Sequence, residues 1–312
     1  MFDSLLALMG KLADLIWGPW TLLFLGAVAG YLTIRSRMFQ ARRFGHIMKN
    51  TFGKIFDKKS LYERGLSPFQ ATATALASTV GTGNIAGVAT AISIGGPGAI
   101  FWMWLLAFLG MMSKTAEVAL AIHYRDVDDL GRISGGPMYY MRKGLGWEKV
   151  AKIFSLFIII DALLTAALLQ PHTVGRAFLN TYGINPYITA TVLAILAGFI
   201  IIGGLKRIGE FCEFLVPIMS VVYIAAGLFI MIVNFKMIQE VFGMIFRYAF
   251  SPAPAMGGFA GAAVAKAIQR GISRGMMSNE AGQGSAPMAH AKAYTNHPIE
   301  QGMWGAFEVF VD

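Results

Sequence analysis

The stretch from Ala71 to Thr90, ATATALASTVGTGNIAGVAT, decides the fold. Small residues fill it, and Gly81-Thr82-Gly83-Asn84 sits at its centre. Two glycines within three residues weaken a helix by about 1 kcal/mol each. The surrounding run from Pro68 to Ile94 is apolar and long enough to cross a bilayer, which takes about 20 residues. One reading is close helix packing through small side chains. The sharper reading is a helix broken near mid-membrane. Non-helical backbone there is tolerated only where protein or a water-filled cavity covers it. Such a break frees N–H groups for an anion and carbonyls for a cation.

The whole composition agrees with a membrane setting. Of 312 residues, 56% are hydrophobic and only 14% charged, against about 25% charged in soluble domains. The mean hydropathy is +0.58. Disorder is excluded, because it needs low hydrophobicity and high charge. A disulfide scaffold is excluded, because Cys212 is the single cysteine. The net charge of +9 is read by position rather than as a nucleic-acid signal.

Working outward from residues 71–90, the apolar runs predict seven spans: Leu15–Ile34, Pro68–Ile94, Gly98–Tyr124, Lys152–Phe178, Pro186–Gly203, Phe211–Phe235 and Gly257–Gly275. The first span is too long for a cleavable leader and lacks a small-residue cleavage site. Lys and Arg crowd every second connection: residues 35–64, the region after Tyr124, Lys206 with Arg207, and Arg270, Arg274 and Lys292 after the seventh span. This alternation places the N-terminus outside and the loop 35–67 in the cytoplasm of a multi-pass protein of the cell membrane. The seventh span is the second glycine-interrupted segment, with Gly257, Gly258 and Gly261 ahead of it and Gly271, Gly275, Gly282 and Gly284 along it. Two interrupted helices five spans apart and opposite in direction are the sequence pointer to a secondary transporter of inverted repeats.

Several motifs then carry a family resemblance. Gly95-Gly96-Pro97-Gly98-Ala99-Ile100-Phe101-Trp102-Met103-Trp104 resembles the signature of the sodium:alanine symporters, the alanine or glycine:cation symporter family of the amino acid–polyamine–cation superfamily. Leu66-Ser67-Pro68-Phe69-Gln70, the run Thr79–Gly87, Ser278-Asn279-Glu280-Ala281-Gly282 and Gly305–Asp312 agree with it. The resemblance implies an all-α polytopic bundle similar to the sodium-coupled leucine transporter, with two inverted five-helix repeats. Residues 15–34 are then an extra helix, 68–235 the first repeat and 257–312 the start of the second, in a single transmembrane domain. Members continue for about four more helices, so the chain is expected to be truncated early in its second repeat. Ala167-Leu168-Leu169 stand where the family has a Gly-Asn pair shortly before the glutamine, Gln170.

The function implied is sodium-coupled symport of a small neutral amino acid, alanine or glycine, by alternating access. The alternatives are proton coupling and a non-transporting fragment. The N–H groups of Thr82 and Gly83 suit the substrate carboxylate, helped by the positive end of a half-helix, and the Thr79 carbonyl suits the ammonium. Gln170 is a further substrate contact, as are Phe259, closing over the side chain, and Gly261, allowing close approach. By resemblance, the carbonyls of Ala77 and Val80 supply part of a sodium site, since hard cations prefer oxygen. Asn84 either serves an ion or caps the second half-helix.

Partners are the amino acid, sodium and lipid, with no nucleic acid. No cofactor beyond the coupling ion is expected. The five histidines lack metal-ligand spacing, and no P-loop or dinucleotide fingerprint occurs. Isolated catalytic types do not converge into an enzyme's site, so no catalytic residue is assigned. Lys114 and Glu117 lie three apart, within pairing reach on one helix. Asp161, mid-span, is open to a cavity role or a pairing with Lys114 or Lys266.

Overall fold

Ser67 opens the first broken helix with a capping box. Its hydroxyl accepts from the Gln70 N–H at 3.0 Å, and the Gln70 side chain accepts from the Ser67 N–H at 3.0 Å. Pro68 occupies the first helical position, where no N–H is needed. The computed structural model describes residues 2–55, 65–251 and 260–312.

The elements in order are α1 (Phe2–Ile16), α2 (Pro19–Arg35), α3 (Phe39–Arg42), α4 (Phe44–Asn50), α5 (Pro68–Thr79), a π-helical turn (Gly83–Gly87), α6 (Val88–Gly95) and α7 (Gly98–His123). A two-stranded hairpin of β1 (Asp126–Val127) and β2 (Ile133–Ser134) follows, pairing antiparallel. Then come α8 (Pro137–Leu145), α9 (Glu148–Asp161), a π-helical stretch (Ala162–Leu169), α10 (Gln170–Tyr182), α11 (Pro186–Ile202) and α12 (Gly204–Val233). The rest are α13 (Ile238–Phe250), α14 (Ala260–Asn279), α15 (Ala286–His290) and α16 (Pro298–Val311).

Among the described residues three helices are long and apolar enough to span a membrane: α7, the continuous α9–α10 rod from Glu148 to Tyr182, and α12. The pair α5 and Gly83–Gly95 makes a fourth, bent by 49° at the Gly81–Thr82 break. The sequence placed its interruption there. The shorter α11 is also apolar. The chain is an all-helical, multi-pass membrane protein apart from its small hairpin.

Burial sorts the spans. The most apolar window of α7 is 56% buried, against none of the α9–α10 rod and 6% of α12. α7 is therefore the axis around which the described residues pack. Its contact with α16 rests on glycines. A Cβ on Gly305 would come within 2.9 Å of Val118 Cγ2, and one on Gly302 within 3.0 Å of the Thr115 carbonyl. Small residues are what let two backbones approach so closely in a membrane. α14 crosses α7 the same way, through Gly271 against the Ala99 carbonyl and Trp102.

Several sequence expectations move. The first span begins at Pro19, after a turn at Gly18, and Leu15 and Ile16 belong to the preceding α1. Lys206 and Arg207 lie in the first turns of α12 rather than in a loop. The seventh span, read through Gly275 with a continuation left open, runs as α14 to Asn279, and Arg270 and Arg274 lie inside it rather than after it. The break follows, with positive φ at Glu280 (50°), Gly282 (97°) and Gly284 (85°), and α15 resumes the helix.

One end of the bundle is tied together by backbone. The Leu66 N–H donates to the Lys292 carbonyl at 3.0 Å, and the Tyr294 N–H donates to the Leu66 carbonyl at 2.8 Å. Arg125 donates to the carbonyls of Ala291 (3.3 Å) and Ala293 (2.6 Å). Lys292 reaches the Ile133 carbonyl.

Candidate functional site

The break in the first discontinuous helix is built from Thr79 to Asn84. Thr79 is buried, and its hydroxyl bonds back to the Ala75 and Leu76 carbonyls at 3.4 and 3.3 Å. Back-bonding of this kind bends a helix. Val80 then turns extended, with φ −76° and ψ 96°. The Asn84 side chain accepts from the Gly81 N–H at 3.1 Å. This satisfies one amide that the break frees, while the second half-helix itself has no side-chain cap.

The other amide of the break is held from outside. Gln170 Oε1 accepts from the Thr82 N–H at 3.2 Å. Gln170 opens α10 directly after the π-helical stretch. A Cβ on Gly81 would lie 3.0 Å from its amide, so the glycine lets the glutamine approach closely.

Asn84 also works in a second direction. Its Nδ2 donates to Asp312 Oδ1 at 2.8 Å and to the Asp312 main-chain oxygen at 3.1 Å. The Ser278 hydroxyl donates to Asp312 Oδ2 at 2.9 Å. Ser278 ends α14 just before the second break. One carboxylate is therefore gripped by the two broken helices together. A Cβ on Gly83 would approach Ser278 Cα to 3.2 Å, so Gly83 permits this closeness.

A cavity of about 450 Å³ opens beside the cluster. Asn84, Ser278, Asn279 and Asp312 give it a polar side, and Val80, Ile100, Met103 and Trp104 an apolar one. Of the residues expected to bind substrate or ion, the structure brings Thr82, Gly83, Asn84 and Gln170 together, with Thr79 and Val80 adjacent. Ala77 is exposed and outside the cavity lining. Gly261 lies in the first turn of α14. Phe259 lies outside the described residues.

Sequence reasoning gave no role to Ser278 or Asp312. Both fall in stretches that carried the resemblance, but nothing local marks either as a partner of Asn84. It also missed a second polar cluster. Lys114 does not pair with Glu117. Its ammonium meets Glu308 Oε1 at 3.4 Å, both side chains fully buried. Glu117 instead accepts the backbone N–H of Gly282. Asp161 accepts from Thr165 at 2.8 Å and pairs with neither Lys114 nor Lys266. Among the described residues no group of His, Cys, Asp and Glu is arranged to hold a transition metal.

Comparison with known proteins gives the family. The family model described as "Sodium:alanine symporter family" matches residues 2–312. The chain belongs to that family. It is 44% identical over 310 residues to the sodium/alanine symporter AgcS of Methanococcus maripaludis, covering 98% of this chain and 67% of that protein. It is 41% identical to the uncharacterized transporter YflA of Bacillus subtilis, covering 99% and 65%. It is 37% identical to a protein of the same bacterium named "Probable sodium/glutamine symporter GlnT", covering 98% and 62%. The chain thus spans about two thirds of the length of these relatives. The family is one of transporters, not enzymes.

Proposed function

We propose that this sodium:alanine symporter family chain carries the substrate and ion sites of a sodium-coupled symporter for alanine or glycine. The reading places it in an inverted-repeat bundle of the leucine-transporter kind, in the cell membrane with the N-terminus outside. The observation that carries it is the Thr82 amide held by a neutral Gln170 oxygen, one turn from a carboxylate shared by both broken helices.

The chemistry follows from those contacts. The substrate carboxylate takes the Thr82 and Gly83 N–H groups, displacing Gln170 Oε1. An ionised acceptor makes the stronger bond, so the exchange favours the substrate. Gln170 is then free to receive it through its amide N–H. The Thr79 carbonyl receives the ammonium. Sodium takes the Asp312 carboxylate, with Ser278, Asn84 and the Val80 carbonyl as further oxygens. A hard cation suits such a set. Because Asp312 is gripped by both broken helices, ion binding fixes their relative position. That is the coupling a symporter needs. Phe259 closes over the substrate, and Gly261 gives it room.

The relatives' names pull in different directions on substrate, alanine for AgcS and glutamine for GlnT. The test is equilibrium binding of labelled L-alanine, glycine and L-glutamine to the purified chain in nanodiscs, with sodium or choline. Binding of alanine or glycine that needs sodium, and that Asp312→Asn abolishes, supports the reading. Equal affinity in choline refutes sodium coupling, and a matching drop in affinity between pH 6 and 8 assigns the role to protons. Preference for glutamine overturns the substrate assignment.

A further inference from the structure

The apolar α9–α10 rod has a polar foot that neither the substrate site nor the ion site uses. α8 ends in a left-handed Gly146, and α9 starts after Trp147 and packs against α8. A cleft of about 160 Å³ opens between the two helices. Tyr139 and Arg142 line it from α8, and Glu148, Ala151, Lys152 and Ser155 from the first turns of α9. We propose that this cleft binds the phosphate of an anionic phospholipid between Arg142 and Lys152, with the acyl chains running along the outer face of α9.

Arg142 is set for this role. Its guanidinium lies over the Tyr139 ring, 5.4 Å from the centroid, and one of its nitrogens donates to Asp126 Oδ2 at 3.0 Å. The rest of the planar fork keeps N–H groups in the geometry that matches a phosphate. Lys152 stands on the α9 side, its ammonium 2.8 Å from Glu148 Oε1. Arg142 is in electrostatic reach of the same carboxylate, so both cations bear on one point of the cleft. Both ion pairs are exposed. Exposed pairs hold weakly, so a phosphate can draw the two cations onto itself. Ser155 supplies no donor, because its hydroxyl donates to the Ala151 carbonyl at 2.9 Å. Lys143, which shares Asp126 with Arg142, and Lys149 add to the positive field. Cations therefore outnumber Asp126 and Glu148 around the cleft.

The apolar surroundings select a lipid over a free phosphate. Trp147, at the turn between the helices, is exposed, as a ring at the headgroup level is. The rod that starts at Glu148 has none of its most apolar window buried. One turn beyond Lys152 and Ser155 come Leu156 and Ile159, both exposed. An acyl chain whose phosphate sits in the cleft lies along them, whereas a free phosphate gains nothing from that face. Basic pockets on the cytoplasmic side of membrane helices are where anionic headgroups bind, and the orientation proposed above puts the cleft on that side. The positive-inside pattern needs the charges alone. It does not require a cleft, nor an arginine stacked on an aromatic ring at its wall.

The site rests on the membrane setting and not on the transport reading, so its test needs neither sodium nor amino acid. The detergent-purified chain is titrated with dioleoyl phosphatidylglycerol, and bound lipid is counted by native mass spectrometry. Dioleoyl phosphatidylcholine and inorganic phosphate are the comparisons. The first phosphatidylglycerol is expected to bind at least about tenfold more tightly than phosphatidylcholine. Arg142→Gln with Lys152→Gln is expected to remove that preference. Lys143→Gln with Lys149→Gln takes away the same charge beside the cleft and is expected to keep most of it. Glu148→Gln removes the carboxylate that opposes the phosphate and is expected to raise the affinity about threefold, a gain that misfolding does not produce. Equal losses in the two double variants mean diffuse attraction and overturn the proposal. So does the absence of a preference for phosphatidylglycerol, or a drop in affinity with Glu148→Gln. Displacement of the lipid by inorganic phosphate at equal concentration overturns the lipid assignment in favour of a free phosphate.

Discussion

Replacing Lys114 by methionine tests whether the Lys114–Glu308 pair is a structural necessity. Both side chains have no solvent exposure, so neither charge is relieved by water when its partner goes. Removing one member of a buried pair costs about 3–5 kcal/mol, chiefly from the charge left behind. Glu308 keeps its 2.7 Å contact with His290, which places Lys114→Met toward the lower end, about 3 kcal/mol. Methionine fills most of the lysine's volume, so little of this is a cavity. The double variant Lys114→Met with Glu308→Met removes both charges and leaves only the His290 N–H without an acceptor, at about 1–3 kcal/mol. It is therefore expected to be no less stable than Lys114→Met alone. The assay is unfolding in mixed micelles at rising denaturing-detergent fraction, followed by near-ultraviolet circular dichroism. A loss under about 0.5 kcal/mol for Lys114→Met, or a double variant equal to the sum of two large single losses, refutes the reasoning.

Other outcomes follow from the same geometry. Ser67→Ala removes the capping box at the entrance of α5 and is expected to cost about 1 kcal/mol in the same assay, with alanine binding unchanged. Gly305→Val drives a branched side chain into Val118, already 2.9 Å from a bare Cβ; α16 separates from α7 and sodium-dependent binding is lost. Gln170→Leu removes a substrate partner and is expected to weaken alanine binding about tenfold, read by equilibrium binding. In the hairpin loop, the Arg132 backbone N–H and guanidinium hold the Asp128 carboxyl below its ordinary range. Its contribution to loop order is present above the unfolded value, about 3.9, and is lost only as pH falls through the lower folded one. Amide protection at Leu130 and Arg132, corrected for intrinsic exchange, is thus expected to stay constant from pH 8 to 5, and a drop at pH 6 would contradict this.

The break at Gly81–Asn84 was legible because its cause is local: two glycines and an asparagine in an apolar run. The ion cluster was not, because Asn84 and Asp312 are 228 positions apart and neither shows its partner in its own neighbourhood. Lys114 and Glu117 show the opposite failure. Their spacing suggested a pair, but helical neighbours compete with partners on other elements. Glu117 took the Gly282 N–H at the second break, and Lys114 took Glu308 across the tight α7–α16 contact. Arg270 and Arg274 were counted with the loop, yet α14 stays helical through both to Asn279, and the left-handed turns begin only at Glu280.

The π-helical stretch at 162–169 has a consequence for how this segment can vary. A wide turn is an inserted residue that the helix has absorbed without unwinding. Deleting one residue from Ala162–Leu169 would give a regular and locally more stable helix, yet turn everything after it by about 100° relative to everything before. Gln170 would then leave the Thr82 amide although no residue of the site had been touched. The length of the segment is therefore as much a determinant of recognition as the identity of the glutamine at its end. Chains that keep the glutamine but lose the extra residue should be expected to bind something else.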